Sequence, residues 1–209
     1  MYAALQRVLA GACAFVLTYL VVAFVAASRI ARYLTPDSGN GPTVLDAYRA
    51  AGEPLWQAIG WLALNTLGVP IGVSVESGYV IRHANLVYDG SLWFGVVPGV
   101  FGLVPMVTCI LAGAGVVVLS PTPSHVPLAV GTYMIPGHLS AVLVATILFS
   151  GAVGPVEASF TLTTLYPPTK WLIPTVVSPL LFGSAGAFVV QSPFVQSILN
   201  RLRTVSTGR

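Results

Sequence analysis

Five stretches of this chain run for about twenty residues with almost no charge, and they constrain its fold more than any other feature. A bilayer core about 30 Å thick is crossed by roughly 20 helical residues rising about 1.5 Å each. The stretches that meet this length are 8–27, 55–75, 93–119, 128–149 and 171–191. The expected fold is therefore an all-α integral membrane protein, a bundle of about five transmembrane helices in a single domain, 1–209.

Composition supports lipid as the solvent. The chain is 56% hydrophobic and 7% charged. A soluble domain is near a quarter charged, and so little charge cannot cover a water-facing surface. The first stretch is too long for a signal-peptide core, and Arg29 and Arg32 follow it as a stop-transfer flank, so it is expected to stay as a span. Nine basic against six acidic residues give a charge of +3, with no basic stripe interleaved with aromatics. That excludes a nucleic-acid partner. Cys13 and Cys109 both sit in apolar runs, without a CxxC or Cys/His spacing, so no metal or cofactor is expected.

The second stretch, PLWQAIGWLALNTLGVPIGVSV, carries polar residues inside an apolar run. Gln57 and Asn65 lie about 80° apart around a helix, close enough to share a broad inward face. They either bond across helices or line a polar site. His138 is the ionisable group deepest in an apolar stretch, a candidate functional residue on that ground. With Gln57 and Asn65 it makes up the candidate intramembrane polar site. Its neighbour Ser140 does not form a dyad with it, because residues two apart point about 200° from each other on a helix. GHLSA also fails to match the GxSxG elbow. Glu157, between Gly154-Pro155 and an apolar piece, is read as a solvated residue at a helix start, or as a cation or proton ligand if that piece re-enters the membrane. Arg82, His83 and Asp89 are read as an ion-pair cluster in a hairpin between 76 and 92. No paired carboxylates, phosphate loop or nucleophile–base set can be assembled, so no enzymatic activity is expected.

Small residues recur at the spacing that lets helix backbones approach. Gly68 with Gly72, Gly95 with Gly99, and Gly183 with Ala187 are the expected packing pairs, within the bundle or toward a protein partner or second copy. Pro70, Pro98, Pro105 and Pro136 predict bent or broken helices. Residues 194–203 place Phe194, Val195, Ile198, Leu199 and Leu202 on one side and end in Arg201 and Arg203, the pattern of an amphipathic helix on a membrane surface. Five spans put the ends of the chain on opposite sides. Arg29, Arg32, Arg49, Arg201, Arg203 and Arg209 then oppose Arg7, Arg82 and Lys170, which orients the C-terminus to the cytoplasm and the N-terminus outside.

The order of these pieces resembles a family of multi-pass haloarchaeal membrane proteins of unknown function. The resemblance lies in the N-terminal apolar span, LWQAIGWLALNTLGV (Leu55 to Val69) and VVSPLLFGSAGAFV (Val176 to Val189), with Ser184 where that family has a second Gly. It covers about a fifth of the chain. It implies a four- or five-span bundle and brings no active-site residues. The function expected is that of a non-enzymatic structural or accessory membrane component. The alternative is a small-solute or ion transporter or channel using Gln57, Asn65 and His138 on kinked helices.

Overall fold

A computed structural model of the chain describes residues 2–30, 55–75, 80–84, 98–119, 126–153, 156–159, 168–198 and 201. Its helices are α1 (Tyr2–Ile30), α2 (Leu55–Thr66), α3 (Pro98–Leu119), α4 (Pro127–Leu148), α5 (Thr169–Val177) and α6 (Ser184–Gln191). A π-helical segment, Ser178–Gly183, joins α5 to α6 without a break. The strands are β1 (Ile71–Val75), β2 (Val80–Ala84), β3 (Gly151–Val153) and β4 (Val156–Ser159).

Among the described residues four helices, against the five expected, are long and apolar enough to cross a membrane: α1, α3, α4 and the joined α5–π–α6. The stretch 55–75 departs from expectation. α2 has 12 residues, about 18 Å of helix, well short of a bilayer core. Its end is written in the sequence. Gly68 adopts φ +73°, a conformation glycine enters without a Cβ penalty. The Gly68 N–H donates to the Asn65 carbonyl (2.9 Å) and the Val69 N–H to the Leu64 carbonyl (3.1 Å). Those two bonds make a Schellman cap, and Pro70 follows it where no helix can continue. Past the cap the chain runs extended as β1. Gly68 and Gly72 therefore do not form a helix-packing pair: one closes a turn, and the other is a strand residue opposite Ser159.

The described chain is almost entirely helical, as expected, and four short strands are added to it. They form one antiparallel sheet in the order β2-β1-β4-β3, with a register shift between Ile71 and Val73. Glu157 lies in β4, opposite Ser74 on one side and Ala152 on the other, so it belongs to a sheet and not to a helix start. Arg82 and His83 fall in β2, whereas Asp89, Gly95 and Phe160 to Leu165 lie outside the described residues. The pairing of β1 with β4 fixes the topology. It joins the segment between α1 and α3 to the segment between α4 and α5, so both connections lie at one end of the bundle.

The prolines do less damage than expected. Pro98 and Pro127 each open a helix, where the missing N–H is harmless. Pro105 and Pro136 sit inside helices that stay continuous. Only Pro179 coincides with irregular helix, at the start of the π segment. α1 and α4 run in the same direction: Arg7 stacks over the Tyr133 ring, Phe15 meets His138, and Tyr19 stacks on Phe149. The α5–π–α6 helix runs opposite to α4, since Gly131 abuts the Leu180 carbonyl while His138 reaches Thr175. Between the helices lies a core of Ala14, Cys109, Val116, Val130, Met134 and Ala187. The outer faces are apolar too. Phe24, Leu111, Ile147 and Phe188, one from each long helix, are well exposed. An apolar outer face on every long helix has no cause in water, whereas lipid needs no polar face.

Candidate functional site

The three residues singled out as a polar site each bond to a different backbone carbonyl. Gln57 sits near the start of α2, with its Nε2 3.4 Å from the Ser150 carbonyl. Asn65 is fully buried, and its Nδ2 donates to the Val69 carbonyl at 2.7 Å. That bond lies across the Schellman turn, so Asn65 holds the exit from α2. His138 is fully buried in α4. Ser150, where Gln57 is anchored, lies about 18 Å beyond His138 at the helical rise.

His138 has a specific local purpose. Its Nδ1 is 3.1 Å from the Thr175 carbonyl. In an α-helix that carbonyl would accept the N–H four residues on, but that residue is Pro179, which has none. The pyrrolidine ring also crowds the carbonyl outward. Pro179 thus denies that carbonyl its usual α-helical partner, and the imidazole of α4 bonds to it. A carbonyl only accepts, so Nδ1 carries the hydrogen and Nε2 presents a bare lone pair. Nε2 is buried and has no hydrogen-bond partner among the described residues. The Phe15 ring stands edge-on to the imidazole, with centroids 6.4 Å apart.

A double-mutant cycle checks this account. His138→Leu should destabilise the protein by about 1–2 kcal/mol, because it strands a buried carbonyl. In a Pro179→Ala background the chain regains an N–H at 179, and the same His138→Leu change should cost close to nothing. Equal costs in both backgrounds, by thermal unfolding in detergent, would show that the two residues are not coupled.

A second polar pair crosses the bundle. Thr18 and Thr108 share a buried hydrogen bond of 2.7 Å between α1 and α3, and Thr18 also donates to the Ala14 carbonyl. At the sheet end, aromatic residues dock α2. Trp61 is 2% exposed, and its Nε1–H donates to the Phe149 carbonyl at 2.7 Å. The Phe149 ring stacks on Tyr19 and meets Trp56, and the Tyr19 hydroxyl donates to the Trp56 carbonyl.

Glycines set the helix crossings, and most are not the ones expected. A methyl on Gly11 would strike the Met134 carbonyl, and one on Gly137 would strike the Val8 carbonyl. The contact is reciprocal: α1 and α4 touch backbone to backbone. A second reciprocal crossing joins α3 to the last helix, where Gly113 faces the Gly183 carbonyl and Gly186 faces the Ile110 carbonyl. Gly183 takes part through its carbonyl and lies against the Met134 side chain, and Ala187 is fully buried. The signal for Gly11, Gly113, Gly137 and Gly186 was only that each interrupts an apolar helix, where an unpaired glycine costs about 1 kcal/mol against alanine.

Among the described residues, no group of three or more His, Cys, Asp or Glu side chains could hold a metal ion. Cys13 is exposed and Cys109 buried, and both are free thiols.

A membrane-length helical bundle closed at one end by a small sheet is the class these features define. Residues 2–192 match the model of DUF7978, a family of unknown function, and the chain belongs to that family. Neither the curated proteins nor the solved structures contain a match to it.

Proposed function

We propose that this chain is a four-span integral membrane protein with a structural or accessory, non-enzymatic role, carrying its sheet and the docked α2 at one membrane face. The observation that supports this most directly is the fate of the polar side chains. Gln57, Asn65 and His138 reach toward three separate backbone carbonyls, while α1 crosses α4 and α3 crosses the last helix through close glycine contacts. Such a core suits a rigid body that presents its outer faces to lipid and to another membrane protein or a second copy. A haloarchaeal source is part of the same reading, resting on eight Arg to one Lys and on the resemblance of the apolar motifs.

An even number of spans returns the chain to the side where it began. The N-terminus-outside, C-terminus-inside arrangement rested on five spans and does not survive with four. Arg7, Arg201, Arg203 and Arg209 then lie at one end, and Arg29, Arg32, Arg49, Arg82 and Lys170 at the sheet end. The two groups are close to even, so the count of basic residues assigns neither end to the cytoplasm.

A transporter or channel is the second reading. The unpartnered His138 Nε2 beside a π segment favours it, since π-bulges concentrate at functional sites. Extraction from native membranes in mild detergent separates the two. The accessory reading predicts co-purification with other membrane proteins at fixed stoichiometry. A protein that purifies alone and leaks solute from proteoliposomes, with flux abolished by His138→Leu, would replace it with the transport reading.

A further inference from the structure

The two ends of the bundle differ in their acids more than in their bases. All six acidic residues (Asp37, Asp46, Glu53, Glu76, Asp89 and Glu157) fall in the segments between α1 and α3 or between α4 and α5. The β1–β4 pairing places both segments at the same end. The opposite end is formed by the start of α1, the α3–α4 connection and the chain after α6. It holds Arg7, Arg201, Arg203 and Arg209, and its sequence contains no Asp or Glu.

The chain after α6 is built to lie across that end. Ser192 turns it out of the helix with ψ 142°, and the Ser192 hydroxyl donates to the Val189 carbonyl. Gln196 then folds back, with its Nε2 donating to the Val190 carbonyl at 2.8 Å. This fixes how residues 193–198, again helical, leave the bundle. Phe194 is 73% exposed and Ile198 42% exposed. Arg201, also exposed and helical, follows at the spacing that continues their face. Two apolar side chains in line with an arginine fit the boundary between acyl chains and headgroups. The ring and the isoleucine enter the apolar layer, and the guanidinium reaches the phosphate plane, where its planar fork takes two phosphate oxygens.

We infer that the end without Asp or Glu is a binding surface for anionic phospholipid headgroups, with Phe194, Ile198 and Arg201 at its centre. The inference rests on the membrane-spanning reading above. A zwitterionic headgroup would offset each phosphate with its own cation. An anionic one leaves the phosphate free for a guanidinium.

The test uses the full chain in nanodiscs of phosphatidylcholine mixed with phosphatidylglycerol, with the lipids retained after detergent release identified by native mass spectrometry. Phosphatidylglycerol should be enriched over its share of the mixture. Enrichment should fall about fivefold for each arginine removed in Arg201→Gln, Arg203→Gln and Arg209→Gln, and weaken with added salt. Arg29→Gln with Arg32→Gln, at the sheet end, should leave it unchanged. Carbonate extraction of the same preparations reports insertion separately. A protein that resists extraction but shows no phosphatidylglycerol preference, or one whose preference survives the triple substitution, overturns the headgroup surface and leaves the four-span reading standing. A protein released by carbonate overturns both.

Discussion

Gly137→Leu should abolish the folded bundle. Any side chain at 137 points into the Val8 carbonyl and the Ala12 N–H across the α1–α4 crossing. These are backbone atoms, which cannot swing aside as a flexible side chain would. The helices must separate, and the reciprocal contact at Gly11 against Met134 and His138 opens with them. Overpacking in a well-packed core costs about 1–3 kcal/mol and more where nothing yields, so the loss here should sit at or above about 4 kcal/mol. The readout is thermal unfolding and size-exclusion behaviour in detergent, and the control lies in the same protein. Gly115, on α3, has nothing within 4 Å of where its Cβ would stand. Gly115→Leu adds the same atoms and should leave the melting temperature nearly unchanged, or raise it slightly through better helix propensity. Comparable losses at both positions would mean that backbone crossing is not what holds these helices.

Trp61→Ala should detach α2. The indole is almost wholly buried, donates to the Phe149 carbonyl, and belongs to the same docking site as Gly60, which sits against the Phe149 ring. Truncating a buried tryptophan costs about 3–5 kcal/mol, from lost contact and the cavity left behind. The hydrogen bond is a minor part, so Trp61→Phe should cost about 1–2 kcal/mol, leaving the carbonyl unpaired but the space mostly filled. The loss should be local. Proteolysis between 31 and 97 should accelerate in Trp61→Ala while α1, α3 and α4 stay protected. Uniform protection would mean that the aromatic contacts are incidental to holding α2 in place.

Much of the architecture was legible, and its limits have identifiable causes. α1, α3, α4 and the last helix were readable because each holds a long run without charge, the mark that a helix of membrane-crossing length leaves directly. The stretch 55–75 was not readable by the same rule. Hydropathy records that a segment avoids water, not whether lipid or protein shields it. Residues 60–67 of α2 and its cap, and 69–72 leading into β1, are buried by protein. Gly68 and Pro70 held the correct signal, a glycine cap followed by a helix-incompatible residue, but the GxxxG spacing offered a competing reading of the same glycine.

The crossings were hidden for another reason. A GxxxG search looks for two small residues on one helix, whereas here one glycine meets a carbonyl on another helix. That pairing is invisible until the helices are placed. The polar residues were visible as residues, but not their partners. Trp61 with Phe149, Gln57 with Ser150 and His138 with Thr175 all join a side chain to a backbone carbonyl far along the chain, and a carbonyl has no letter in the sequence. Only the His138–Thr175 pair left a trace, in Pro179, which has no N–H to offer that carbonyl.

The central claim is that four spans, not five, carry this chain across the membrane, with the sheet joining two connections at one face. Single cysteines at positions 32 and 203, in a Cys13→Ala, Cys109→Ala background, test it in sealed vesicles of one orientation with a membrane-impermeant maleimide. Residue 32 follows α1 and residue 203 follows the last helix. Four spans place them on opposite sides, so only one should label before the vesicles are opened. Labelling of both from the same side would restore a fifth crossing and contradict the account.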